Sequence, residues 1–452
     1  MEQTTNKKRT GLTRQVILLA GPLVLQNLSQ TLLGVIDTYF VSRISTEAVA
    51  SVGLASVLYF AVLRLFHSTA NSTVVFVGRA HGEGDDEKIG TAVWRSLNMI
   101  FWLSLVVLLL PWAFRWIMVL MAPQDGTAVR ELGTTYLQIR AIEIPFVMFS
   151  GVVWAFLVGR GDSRTPMILA WITVLVNILL DWILVLGNLG APQLGVQGAA
   201  YATVLANCLL AAMSAGILWQ RKHREQFKTA VPVIANRHDV WAVMKVGLPI
   251  GMGDFIEIGS FSVFFAFLGQ LGTAVLAANQ IALQFMSISF TFGVAVAMAT
   301  SSLVAQYLGA KQPDQAKRVA HRAVVIGMIS MGLIGLSYLI APDFLIGLYS
   351  DDPTVIEAGV TVLTLVALYQ VFDAVGVVLA GALNGAGDTQ FTMWTRSILA
   401  WGMFLPLVWV LLFVLELGTW GAWMGALIYL GGLSIIYWVR FRNGRWQTIE
   451  LA

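Results

Sequence analysis

Seven oxygen-bearing side chains inside largely apolar runs are the candidates for chemistry. Asp37 lies in LLGVIDTYFV, Asn177 and Asp181 in VNILLDW, and Thr203 in GAAYATV. Glu257 lies in PIGMGDFIEIGSF, and Tyr369 and Asp373 in LYQVFDAVG. Asn177 and Asp181 are four residues apart and so share one helix face, as do Tyr369 and Asp373. The first four offer only hard oxygen ligands, which suits a proton or a small hard cation and is wrong for zinc or copper. In the second group, a bundle interior could bring Glu257 and Asp373 together, and two carboxylates in low dielectric cannot both stay ionised. Asp254 shares the face of Glu257 at i, i+3. Plainer readings stay open. Asp37 could be a hydrogen-bonded structural acid, Asn177 and Asp181 could cap a helix end at the following GNLG loop, and the Glu257 group could only fix packing. Arg140 and Glu143, three apart, most simply form an intrahelical pair. Arg64 and His67 receive no role.

The elements that carry these groups must cross a membrane. The chain is 57% hydrophobic and 12% charged, against a charged fraction of ~25% in soluble domains. Runs of ~20 apolar residues match a ~30 Å hydrocarbon core. They fall near 16–42, 49–78, 92–121, 133–159, 166–187 and 196–219, then 246–269, 276–307, 321–349, 358–384, 393–415 and 420–439. That predicts an all-α membrane protein of about twelve transmembrane helices. A charged side chain at the bilayer centre costs at least ~2.5–3.5 kcal/mol, so acids retained there are functional candidates by default. Pro22 and Pro249 fall inside the first and seventh runs, where a proline frees a backbone carbonyl and kinks the helix.

The chain is also duplicated. Displaced by 227 positions, Pro22 meets Pro249, Thr46 meets Thr273, Ala55 meets Ala282, Gly82 meets Gly309 and Arg95 meets Arg322. With one deletion the register extends to LVGRGDSRTPM at 157–167 and LNGAGDTQFTM at 383–393. Six helices per half is an even number, so the halves are parallel repeats. Lys and Arg gather before the first run, after runs two, four, six and eight, and at the end, while GNLGAPQLG at 187–195 is uncharged and SDDP at 350–353 is acidic. Both termini and the central linker are therefore expected in the cytoplasm. The predicted division is an N-terminal tail at 1–15, an N-lobe at 16–219, a basic linker at 220–244, a C-lobe at 245–440 and a tail at 441–452. RHDVWAVMK, just before span seven, is expected to form a short surface helix.

Several classes are excluded. The N-terminus lacks the short apolar segment and small-residue cleavage site of a signal peptide. Cys208 is the only cysteine, so no disulfide or thiolate metal site is expected. The net charge of +3 is explained by topology and calls for no nucleic acid. HExxH, a nucleophile elbow and GxxxxGK[ST] are missing, which argues against an enzyme and against ATP-driven export. The Met- and aromatic-rich stretches at 285–292 and 146–156 suit either ordinary packing or an adaptable apolar cavity.

PLVLQNLSQTLLGVIDTYFVSRISTEAVASVGLA resembles the first-helix signature of the multidrug and toxic compound extrusion (MATE) family. VNILLDWILVL and LGVQGAAYATV resemble its fifth and sixth helices, and GALNGAGDTQFTM its tenth-helix end. The resemblance covers about 15 to 440. It implies a V of two six-helix lobes, and the chain is expected in the cell inner membrane as a monomer. The implied activity is export of cationic or amphipathic small molecules, by alternating access, in exchange for H+ or Na+. No cofactor is implied, and no metal apart from Na+ at the N-lobe set. The family's first-helix carboxylate maps onto Asp37, its hinge proline onto Pro22, and its N-lobe cation site onto Asn177, Asp181 and Thr203. The C-lobe acidic site of the NorM-like branch maps onto Glu257, Tyr369 and Asp373. The DinF-like branch, which emphasises the N-lobe set, is the suggested branch, although both sets are present. The alternative is a lipid-linked oligosaccharide flippase of the same superfamily fold, which would need more cavity arginines than Arg64 and Arg140.

Overall fold

The computed structural model describes residues 11–121 and 127–451. Lys7, Lys8 and Arg9 of the predicted N-terminal tail lie outside the described residues. Among those described there are helices and no strands. In the first half these are α1 (Leu12–Ser42), α2 (Thr46–Asn71), α3 (Thr73–Glu83), α4 (Asp86–Val107), α5 (Leu110–Met121), α6 (Thr127–Ala141), α7 (Ile144–Gly159), α8 (Arg164–Leu184) and α9 (Val196–Trp219). The linker carries α10 (Arg221–Phe227). The second half has α11 (Arg237–Gly269), α12 (Thr273–Gly309), α13 (Pro313–Ile340), α14 (Pro342–Gly347), α15 (Pro353–Ala386), α16 (Thr389–Val414) and α17 (Gly418–Arg442). Among the described residues, eleven helices are long and apolar enough to cross a membrane, or twelve when one bent pair counts as a single span. The protein is a polytopic helical membrane protein.

Besides the run 321–349, which breaks at Ala341 between α13 and α14, three predicted elements differ from the structure. The run 92–121 is not one helix: α4 ends at Val107 and α5 starts at Leu110, next to Pro111. The run 133–159 is broken too, with α6 and α7 meeting at 43°. Pro145 is the second residue of α7, where its missing N–H costs nothing, so it favours a fresh helix start over continuation. The third difference is RHDVWAVMK, which is the first turns of α11 rather than a separate surface helix. Asn236 and Asp239 explain that start. Each side chain accepts from the other's backbone N–H, at 2.9 and 3.2 Å, a reciprocal cap that holds the helix N-terminus.

The described chain forms two compact units. One is Leu25–Gly251, and the other joins the chain up to Val24 to Met252–Leu451. Both boundaries therefore fall inside a helix, two residues after Pro22 in α1 and two after Pro249 in α11. The start of α11 is thus part of the first unit. There Arg95 pairs with Asp239 at 2.6 Å. A Cβ built on Gly251 would lie 2.1 Å from the Leu65 carbonyl oxygen, so only glycine allows that approach. In the other unit, Tyr307 donates to Gln15 of α1 at 2.7 Å. The same small-residue logic packs α15 on α12, since a Cβ at Gly385 would meet the Ser301 carbonyl at 2.3 Å.

The linker is docked. Phe227 is buried, and Lys228 and Gln226 bind Glu87 and Asp86. His223 packs edge-on against Phe156. Burial lowers the pKa of this imidazole, and the neutral ring donates from Nδ1 to the Ile217 carbonyl at 2.8 Å.

Candidate functional site

Three helices of the first unit bring the predicted set together. Asp37 comes from α1, Asn177 and Asp181 from α8, and Thr203 from α9. The Nδ2 of Asn177 donates to Asp37 Oδ1 at 2.9 Å and to Asp181 Oδ2 at 2.6 Å. The Thr203 hydroxyl donates to the Ala199 carbonyl at 3.0 Å and lies 3.5 Å from Asp37 Oδ2. Asn177 and Asp181 are fully buried, Thr203 almost so, and Asp37 half-buried. Asp181 does not cap the end of α8, since its side chain points at Asn177 instead.

Two atoms of the cluster stand out. Asn177 Oδ1 and Asp181 Oδ1 are buried and accept no hydrogen bond from the protein. A buried acceptor left unmatched costs about 1–3 kcal/mol, and more when charged. A proton or an alkali cation would relieve both. Among the described residues no salt bridge from Lys or Arg reaches Asp37 or Asp181, and no group of three His, Cys, Asp or Glu side chains suits a metal ion.

The cluster runs on into a second network that sequence reading missed. Asn207, one turn after Thr203, donates to the Thr203 carbonyl at 3.1 Å and to Glu143 Oε2 at 2.9 Å. Glu143 is fully buried and also accepts from the Tyr59 hydroxyl and from Arg140 Nε at 2.8 Å. Arg140 donates to Tyr136 at 3.0 Å and lies over the Tyr59 ring. The Arg140–Glu143 pair is therefore not intrahelical: α6 ends at Ala141, and the pair spans the break before α7. The spacing of Thr203 and Asn207 was a readable signal, because i, i+4 puts both on one face of α9. Tyr59 and Tyr136 carried no signal beyond being aromatic.

In the other unit, Glu257 has a basic partner that the sequence did not show. Arg396 of α16 binds Asp254 at 2.8 Å and Glu257 at 3.1 Å, and Tyr429 of α17 donates to Glu257 at 3.3 Å. Asp373 is nearly buried in α15 and feels the charges of Glu257 and Arg396. Tyr369 stacks on Trp423, with centroids 6.3 Å apart. Arg396 went unnoticed because it stands only seven residues into its helix, where a basic residue reads as a topology marker.

Apolar spans duplicated across the chain, with an acid–amide–acid cluster inside one unit, define an integral-membrane transporter. The MatE family matches residues 22–183 and again 249–410, the two matches lying one repeat apart and together covering more than half of the chain. The chain belongs to the MatE family, and is a transporter and not an enzyme. It is 26% identical over 436 residues to the probable multidrug resistance protein NorM of Thermotoga maritima, covering 96% of this chain and 93% of that protein. It is 29% identical over 450 residues to the multidrug resistance protein PmpM of Pseudomonas aeruginosa, covering 97% and 92%. Its fold is similar to that of a multidrug resistance MATE family transporter of the MOP superfamily solved in an outward-facing conformation. That likeness has a TM-score of 0.87 and 19% identity over 98% of both chains. The eukaryotic MATE transporter AtDTX14 gives a TM-score of 0.86 at 18% identity over 96% of both chains. NorM relatives of this kind do not single out a DinF-like branch.

Proposed function

We propose that this protein is a secondary active multidrug efflux antiporter of the cell inner membrane, with both termini cytoplasmic. It exports cationic or amphipathic small molecules in exchange for H+ or Na+ and acts as a monomer. The relatives' names support multidrug export, and the Lys and Arg distribution supports the orientation. One observation carries the ion-coupled reading. Asp37, Asn177, Asp181 and Thr203 form an oxygen cluster inside the spans, with two buried acceptors left unmatched.

The ion enters this cluster from outside and neutralises buried charge. That biases α1 to bend at Pro22, beside the point where α1 passes from one compact unit to the other. The bend narrows the cavity and expels the drug, and the ion leaves toward the cytoplasm. Coupling requires the ion to bind the two states unequally, and a tenfold preference amounts to about 1.4 kcal/mol. Glu257, Tyr369 and Asp373 take a supporting part, since Arg396 already compensates the charge of Glu257.

The test is dye efflux from vesicles with the pH gradient and the Na+ gradient collapsed separately. Asp37→Asn and Asp181→Asn should abolish gradient-driven efflux in a folded protein, while Glu257→Gln should weaken it. Wild-type efflux from Asp37→Asn would remove the cluster from the mechanism.

A further inference from the structure

We propose that the N-terminal end of α13 is a binding site for the phosphate group of an anionic membrane lipid. Lys317, Arg318, His321 and Arg322 project from two successive turns of α13 and, with Leu12 of α1, line an open cavity of about 540 Å³. Positions i, i+1, i+4 and i+5 share one helix face. Among the described residues, none of these four bases is in an ion pair with an acid. The His321 ring rests edge-on against Phe441, and its Nδ1 faces the Lys317 carbonyl at 2.8 Å.

The duplicated half shows what this face is in its other form. Displaced by 227 positions, Lys317, Arg318, His321 and Arg322 become Gly90, Thr91, Trp94 and Arg95 on α4, and Leu12 becomes Asp239. There the linker covers the face. A Cβ on Gly90 would lie 1.9 Å from the Phe227 carbonyl oxygen, Trp94 donates to the Thr229 carbonyl at 3.0 Å, and Arg95 pairs with Asp239. The second half has a leucine where that aspartate would be, and bases where the linker would sit. Its preceding turn has also shed acids: Glu83, Asp85, Asp86 and Glu87 correspond to Ala310, Gln312, Pro313 and Asp314. Asp314 is the one carboxylate kept.

The depth of the cavity points to lipid. With 28 residues, α13 is about 42 Å long at 1.5 Å per residue, longer than a ~30 Å hydrocarbon core. Its first turns therefore stand at the level of the headgroups. Below the bases the same face continues as Val325, Ile329 and Leu333, which are 50%, 57% and 64% exposed. A diester held by the bases would lay its acyl chains along this stripe, and a basic pocket between membrane helices recognises phosphate in just this setting. Free inorganic phosphate would use the bases and ignore the stripe.

The experiment is native mass spectrometry of the full chain in neutral detergent, offered phosphatidylglycerol and phosphatidylcholine with identical acyl chains, beside thermal-shift titrations with inorganic phosphate. The wild type should retain phosphatidylglycerol over phosphatidylcholine. K317Q/R318Q/R322Q should lose that retention at least about fivefold, and K222Q/R224Q/R237Q, with the same loss of charge in and beside the exposed linker, should keep it. L12D restores the acid that faces Arg95 in the first half, and should lower lipid retention without lowering Tm. Equal retention by wild type and the α13 triple variant, or equal loss in the linker variant, overturns the site. Stabilisation by inorganic phosphate as large as by phosphatidylglycerol overturns the lipid as its occupant.

Discussion

Glu143 shows how much one buried acid can organise. Three helices send a donor to it, from Tyr59, Arg140 and Asn207, and it stands in the break between α6 and α7. Removing one member of a buried ion pair typically costs about 3–5 kcal/mol, because the other charge is left uncompensated. Glu143→Gln should therefore lower the thermal stability of the detergent-solubilised protein markedly. Asn207→Ala removes one bond to the Thr203 carbonyl, worth about 0.5–1.5 kcal/mol, and one to the Glu143 carboxylate, worth about 1.5–3 kcal/mol, without stranding a charge. It should leave a folded protein with impaired efflux, because Asn207 is what ties the Thr203 end of the Asp37 cluster to Glu143. Thermal unfolding and dye efflux on the same two variants separate the roles, and a stable Glu143→Gln would refute this picture of the pair. The sequence exposed Asp37, Asn177, Asp181 and Thr203, because oxygen donors in apolar runs are costly and stand out. It concealed Arg396 and Tyr59: a basic residue near a span end and a tyrosine in an apolar run are ordinary features until the partner is visible.

Elements were legible where a property repeats along the chain and illegible where one residue decides. Apolar run length located the spans, yet Pro111 and Pro145 split two of them, and reciprocal capping by Asn236 and Asp239 extended α11 upstream of its apolar part. Among the contacts that dock the linker helix α10, the His223 ring is one whose charge depends on pH. Burial lowers the pKa of His223 in the docked state, from an ordinary value of 6.5. The undocked linker thus binds a proton more readily, so docking is strongest above that value and weakens as pH falls through it. Hydrogen exchange at 221–231, corrected for the intrinsic rate, should show faster opening of α10 on going from pH 7.5 to pH 5.5. His223→Gln should flatten that dependence. An unchanged pH response in His223→Gln would assign it to another group.

At the scale of the molecule, the repeat sets the boundaries in an unexpected place. A basic linker at 220–244 is the natural division by composition, but the compact units divide inside α1 and α11, at repeat-equivalent positions after Pro22 and Pro249. Composition marks where the chain is polar, whereas packing depends on which side chains meet, and these two diverge for the first turns of α11. Val240, Ala242, Val243 and Val246 are buried there, and Asp239 supplies the partner of Arg95. Burying each of the three valines contributes roughly 1.5–3 kcal/mol and the alanine less, a sum comparable to the ~5–15 kcal/mol that holds a whole domain together. A chain truncated after residue 236 should therefore be far less stable in detergent than one truncated after Gly251, although the longer chain adds only fifteen residues. Gly251→Val in the full chain should reproduce part of the loss, because its Cβ branch meets the Leu65 carbonyl and overpacking costs typically about 1–3 kcal/mol. Thermal unfolding of the two truncated chains in one detergent decides it. If ending at 236 or at 251 makes no difference, the first turns of α11 are passengers on the unit, and the boundary belongs in the linker after all.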